Sequence, residues 1–203
     1  MSNNPLTLLL MIGVSAYVIK LWFDDLGSWR KGKANERALP GATSAPKRAC
    51  VVAALGTLVL LGGETFGELA LGLAEKQSKI TALFAVYTLC AAFVEEIIFR
   101  GYIVPPTKSW PVRWVGVGLA SLLFAALHPF LWDWQDSHIV WQLDAKGWFS
   151  TAAVFLTSLW FYIVRFAGFN PRQSLGPCFA GHLTKNTGVI IIKAIQGYLV
   201  GWY

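Results

Sequence analysis

The chain has 203 residues, of which 55% are hydrophobic and only 14% charged, with 17 Lys and Arg against 11 Asp and Glu. A soluble domain carries about 25% charged residues, so this chain lacks the polar groups to coat a water-facing surface, and its wealth of apolar and aromatic residues excludes disorder. Three cysteines, Cys50, Cys90 and Cys178, odd in number and set in apolar runs, exclude a secreted disulfide scaffold.

Six apolar segments follow one another, each near the roughly 20 residues that cross about 30 Å of hydrocarbon. They run from Pro5 to Phe23, Ala49 to Ala74, Ile80 to Val104, Val112 to Trp132, Trp148 to Phe169 and Pro177 to Tyr203. The first lacks a basic leader and a small-residue cleavage site, and is read as a retained helix. The last is long enough to include an interfacial tail. The predicted fold is an all-α, polytopic transmembrane bundle of about six spans, a single membrane-embedded domain over residues 1–203.

Tryptophans mark the ends. Trp22, Trp29, Trp110, Trp114, Trp132, Trp134, Trp141, Trp148 and Trp202 lie near span termini, and only Trp160 is central; indoles favour the headgroup boundary, with the ring in hydrocarbon and the N–H near water. Basic residues set the orientation. Arg30, Lys31, Lys33, Arg37, Lys47 and Arg48 in the first loop, Lys108 and Arg113 in the third, and Arg165 and Arg172 at the fifth face Lys76, Lys79 and Lys146 on the other side. Ten against three places the basic loops in the cytoplasm and both termini outside a cell membrane. Clustering in loops, without interleaved aromatics, argues against a nucleic-acid partner.

Ionisable groups inside hydrocarbon are costly, and mark functional sites by default. In the third segment Glu95 and Glu96 are followed by Arg100. Residues i and i+4 share a helix face, so Glu96 and Arg100 can pair, while Glu95, turned about 100° away, is left freer to act as a base. The other reading is that both glutamates only balance Arg100. In the fourth segment Phe124 stands one turn before His128, so its ring can pack under the imidazole; the bland reading is a boundary histidine unsettled by Pro129. In the sixth, His182 and Asn186 share a face and offer hydrogen-bond donors to an oxyanion. For Asn186 the alternative is a helix–helix hydrogen bond. Two histidines and a glutamate could also bind zinc, but no His-Glu-x-x-His is present. His138, the remaining histidine, lies in an acidic loop.

Taken together, Glu-Glu-x-x-x-Arg at Glu95–Arg100, Phe-x-x-x-His at Phe124–His128 and His-x-x-x-Asn at His182–Asn186 resemble, in order, the three motifs of the CPBP (CAAX protease and bacteriocin-processing, Abi) family of glutamic-type intramembrane proteases. The resemblance covers about half the chain, residues 80–203 forming the motif core, and six spans in so short a chain look like the compact prokaryotic branch. It implies an intramembrane protease that hydrolyses a peptide bond with a glutamate-activated water. Glu95 would be the general base, His128 would hold and polarise the water, and His182 with Asn186 would form the oxyanion hole. Glu96, Arg100 and Phe124 would support them. No cofactor is implied, although the family has been described as metal-dependent and a divalent metal stays open. The expected partners are the lipid bilayer and a membrane-anchored peptide or protein substrate, in C-terminal sorting-tag or CAAX-like processing. The alternative is a non-catalytic immunity or peptide-binding protein that uses the same pocket. Lys185 departs from the pattern; it either stabilises developing charge or, as preferred, bridges to Glu64 or Glu68.

Depth arithmetic at 1.5 Å per residue leaves His128 nearer one membrane face than Glu95. The fourth span is therefore expected to start near Val117 and run past His128 towards Trp134. Tyr102–Trp114, with Pro105, Pro106 and Pro111, would then lie at the interface.

Overall fold

The computed structural model describes residues 4–33, 35–104 and 109–203. Six long helices dominate: α1 (Pro5–Arg30), α2 (Lys47–Ala70), α3 (Ala82–Glu96), α4 (Trp110–Leu127), α5 (Ala145–Phe166) and α6 (Gly176–Ile195). Helix α3 does not stop at Glu96 but widens into a π-helical run, Ile97–Ile103. Between α4 and α5 lies a two-stranded antiparallel hairpin, β1 (Trp132–Gln135) and β2 (His138–Trp141).

Five of the six expected spans, α1 to α5 with the π-helical run included in α3, are long and apolar enough to cross a membrane. The sixth, α6, packs among them but carries His182, Lys185, Asn186 and Lys193, which dilute its apolar character. The fold is an all-α bundle of the kind polytopic membrane proteins adopt. Its outer surface is correspondingly apolar, with Leu6, Val59, Leu119 and Ile195 among the side chains left exposed. In water that surface would be a liability; against lipid it is the expected face.

Local chemistry sets the helix ends. Asn4 caps α1 by accepting hydrogen bonds from the N–H groups of Leu6 and Thr7, with Pro5 next in line. Asp144 caps α5 through the Gly147 N–H at 2.7 Å. Helix α1 runs seven residues beyond the expected end at Phe23, because Asp24 pairs with Lys20 one turn back and Asp25 accepts the Leu39 N–H.

Close helix approach relies on small residues. Gly56 faces Trp160, Gly181 faces Phe161, and Gly188 faces Leu61, each so tightly that a Cβ would collide. The contacts pair α2 with α6, α1 with α3, and α4 with α5, and α6 also meets α3 and α5. At one end the loop before α6 is folded around buried Asn170, which donates to Ser174 O and accepts from Ser174 N–H. At the other, the tail after α6 returns to Ile80: Ile80 N–H donates to Tyr198 O, and Val200 N–H to Ile80 O.

Two expectations about segment ends are corrected. Helix α4 neither starts near Val117 nor continues to Trp134: it starts at Trp110 with Pro111 in its first turn and ends at Leu127. His128 is extended, at φ −79° and ψ 124°, because the following Pro129 disfavours helical geometry at the residue before it. Pro105, Pro106 and Lys108 lie outside the described residues. Trp22, read as an interface anchor, is instead core: it is 2% exposed, donates Nε1–H to Pro40 O and meets Phe179 edge-on at 4.8 Å.

Candidate active site

The adjacent glutamates at the end of α3 point to different surroundings. Glu96 is fully buried, and its Oε1 accepts from Arg100 Nη1 at 3.0 Å and approaches His182 Nδ1 at 2.7 Å. Glu95 keeps a third of its side chain exposed (33%) and lies 3.7 Å, Oε2 to Nε2, from the far side of the same imidazole. One carboxylate is tied down and the other is accessible.

Arg100 is held by more than Glu96. Its Nη2 donates to Ser158 Oγ at 2.7 Å and Ser158 O at 3.3 Å, and Ser158 passes a hydrogen bond to Ser121 Oγ at 3.0 Å. Its guanidinium also faces the rings of Phe124, Tyr162 and Phe161 at 4.5, 5.0 and 5.3 Å. Aromatic faces attract a cation most where water is excluded. Tyr162 donates to Phe99 O at 2.6 Å, within the π-helical run. In the sequence Ser121 is a lone hydroxyl in the apolar middle of its span, and Ser158 is one of several hydroxyls in the fifth.

His182 lies between the two glutamates, with Phe161 and Phe124 near its ring at 5.3 and 6.2 Å. A proton on Nδ1 directed at Glu96 leaves Nε2 as the atom that faces Glu95. Asn186, one turn on, donates Nδ2–H to Thr88 O at 2.9 Å, the helix–helix bond weighed as its alternative. A carboxamide nitrogen carries a second N–H, so this bond does not exhaust its donors.

Phe124 brings His128 into the group. Its ring lies 4.6 Å from the His128 ring, as the i, i+4 spacing predicts. His128 Nδ1 is 2.8 Å from Phe124 O, which leaves Nε2 for other partners. The same Phe124 ring lies 6.2 Å from that of His182 and 4.5 Å from the Arg100 guanidinium, so His128 borders both through it. Glu95, Glu96, Arg100, Phe124, His128 and His182 thus gather from three helices, with Asn186 on the flank. Lys185 does not join them: it bridges to Glu64, while Glu68 pairs with Lys146.

Among the described residues no three His, Cys, Asp or Glu side chains come together as a metal-holding group. Glu96 Oε1 and His182 Nδ1 already engage each other, and the same oxygen accepts from Arg100. Arranged in this way, the described residues do not fit a resident metal.

A family model described as Type II CAAX prenyl endopeptidase Rce1-like matches residues 77–188, more than half of the chain. The matched stretch contains every polar side chain of the group from Glu95 to Asn186. No curated protein and no solved structure matches the chain.

Proposed function

Because the chain belongs to the Type II CAAX prenyl endopeptidase Rce1-like family, within the CPBP membrane proteases, we propose that it is an intramembrane endopeptidase with Glu95 as general base. One observation carries the assignment. Of two adjacent carboxylates, Glu96 is fully buried and tied through Oε1 to Arg100 and His182, whereas Glu95 stays accessible 3.7 Å from His182 Nε2.

In the proposed reaction a water attacks the scissile carbonyl carbon and gives its proton to Glu95. His128, through its unengaged Nε2, holds that water. The carbonyl π electrons move to oxygen, and the oxyanion takes hydrogen bonds from Asn186 and from His182 when both its ring nitrogens carry protons. Collapse re-forms the carbonyl, breaks the C–N bond and returns the proton from Glu95 to the departing amine. Water attacks directly, so no acyl-enzyme forms. Arg100 and Phe124 touch no reacting atom; they position Glu96, His182 and His128.

The substrate is a membrane-anchored peptide or protein. Six helices in one compact domain support the short branch of the superfamily, where a prenyl group is not obligatory. The bias of ten basic residues against three supports cytoplasmic basic loops and outward termini. The test compares membrane-protein termini in cells that carry the wild type or Glu95→Gln, followed by cleavage of the identified substrate in liposomes. Cleavage lost in Glu95→Gln and His128→Ala, with helicity retained, supports the reading. Biological function intact in both variants replaces the peptidase with a peptide-binding protein.

A further inference from the structure

A cavity of about 340 Å³ opens beside His128, walled by Ala125, Trp132, Trp134, Ile139 and Trp141. The hairpin makes this wall by simple alternation. Trp132 pairs with Trp141 and Trp134 with Ile139, so all four side chains share one face, while Asp133 and Gln135 share the other. Asp136 and Ser137, at φ 46° and 65°, form the two-residue turn whose twist suits such a hairpin. On the polar face, hydrogen bonds from Gln135 and the Trp134 N–H hold the Asp133 carboxyl below its ordinary range, so that face stays charged.

The wall is anchored before anything binds. Trp132 Nε1–H donates to Ala126 O at 2.7 Å, and Gln142 N–H to Leu131 O at 2.7 Å. Gly147, at the start of α5, approaches so closely that a Cβ would lie 2.5 Å from Phe130 O. Yet the aromatic face is unfilled: Trp134, Trp141 and Ile139 are 62%, 66% and 46% exposed. An apolar cavity of this size, pre-formed and bounded on one side by a polar group, has the anatomy of a ligand site.

We propose that this cavity is the side-chain pocket that selects the substrate: it takes one bulky apolar or aromatic residue of the peptide stretch that flanks the scissile bond. The occupant follows from continuity. His128 belongs to the cavity wall and packs on Phe124, whose ring also neighbours His182, 3.7 Å from Glu95, so whatever fills the cavity lies beside the group that would face the scissile bond. The inference rests on the peptidase reading for its substrate.

The test uses the full chain in phosphatidylcholine vesicles, with transmembrane-anchored peptides randomised over their juxtamembrane stretch and products read by mass spectrometry. The wild type is expected to favour bulky apolar residues at one position near the cleaved bond. Ile139→Trp, which fills the cavity, and Trp134→Ala, which opens it, should each lower the ratio of bulky to small-residue cleavage about tenfold, the scale of a hydrophobic pocket contact. Val140→Ser, on the opposite face, should leave the ratio unchanged. A merely structural effect lowers both rates and leaves the ratio alone, which overturns the proposal. So does an unchanged ratio accompanied by weaker vesicle partitioning, since the face would then anchor the membrane. The same peptides are titrated onto Glu95→Gln protein by tryptophan fluorescence. Should the wild type cleave none of them, tighter binding of bulky peptides that Ile139→Trp abolishes keeps the pocket and removes the peptidase. Equal binding of bulky and small peptides removes the pocket.

Discussion

Replacing Arg100 by Met tests whether the interior of the site is held by charge pairing. The guanidinium is fully buried and serves Glu96 at 3.0 Å and Ser158 at 2.7 and 3.3 Å, among three aromatic rings. The hydrogen bonds to Ser158 weigh little, because polar side-chain bonds inside membrane proteins average about 0.6 kcal/mol. The stranded partner dominates. Methionine leaves Glu96 buried without its cation, and removal of one member of a buried ion pair costs about 3–5 kcal/mol, a large part of a stability of about 5–15 kcal/mol. The double variant Glu96→Gln/Arg100→Met removes the stranded charge yet keeps a carbonyl oxygen for His182 Nδ1–H, and should recover most of the loss. Unfolding by SDS in mixed micelles, followed by circular dichroism, reads both values. A single variant within about 1 kcal/mol of wild type, or a double variant no more stable than the single, would refute the reasoning.

Glu95→Gln should behave in the opposite way, with stability within about 0.5 kcal/mol of wild type, as for a partly exposed side chain outside the packed network. Its cleavage rate should fall about 10²–10⁴-fold, the contribution of a positioned base; single-turnover cleavage beside the same unfolding assay reads both. Gly56→Ala should destabilise by about 1–3 kcal/mol through overpacking, because its Cβ would fall 2.1 Å from Trp160 Cζ2; thermal unfolding in detergent measures it. Lys185→Met should cost about 1.5–3 kcal/mol, the value of a hydrogen bond to a charged group, by stranding Glu64. Glu64→Gln added to it should restore most of that loss in a double-mutant cycle. Cleavage should be unchanged by a chelator, because among the described residues no three His, Cys, Asp or Glu side chains come together as a metal-holding group; peptidase assays with and without EDTA decide it.

Helices were legible wherever an apolar run approached the roughly 20 residues of a membrane span, and the polar groups were legible because each is costly in hydrocarbon. The pairing of Glu96 with Arg100 followed from i, i+4 geometry alone, and so did the packing of Phe124 on His128. What the sequence concealed depends on partners distant along the chain. Ser158 becomes a ligand of Arg100 only when α5 packs beside α3. Trp22 looked like an interface residue because its neighbours are mixed; tertiary packing supplied Pro40 O for its N–H and buried it. The hairpin hid because the stretch from Asp133 to His138 reads as an acidic loop after the fourth span, and the Asp136-Ser137 turn, without a glycine, is a weak signal. Its alternation of tryptophans with polar residues was the available clue.

The π-helical run explains why two neighbouring glutamates can serve different ends. A π-helix opens the regular i, i+4 ladder and is rare outside functional segments. Here it begins at Ile97, immediately after the pair. Glu96 and Arg100 are still close enough to bond across its first turn. Tyr162, reaching from α5, bonds the carbonyl of Phe99 inside the run. The backbone beneath the glutamates is therefore fastened to α5 by Tyr162 and, through Arg100, by Ser158, while Glu96 fastens to α6 through His182. Three helices converge on the buried carboxylate. Glu95, one residue earlier and about 100° around the axis, inherits a fixed position from its neighbour without entering the network. That is the arrangement a base needs: a rigid mount and an open carboxylate.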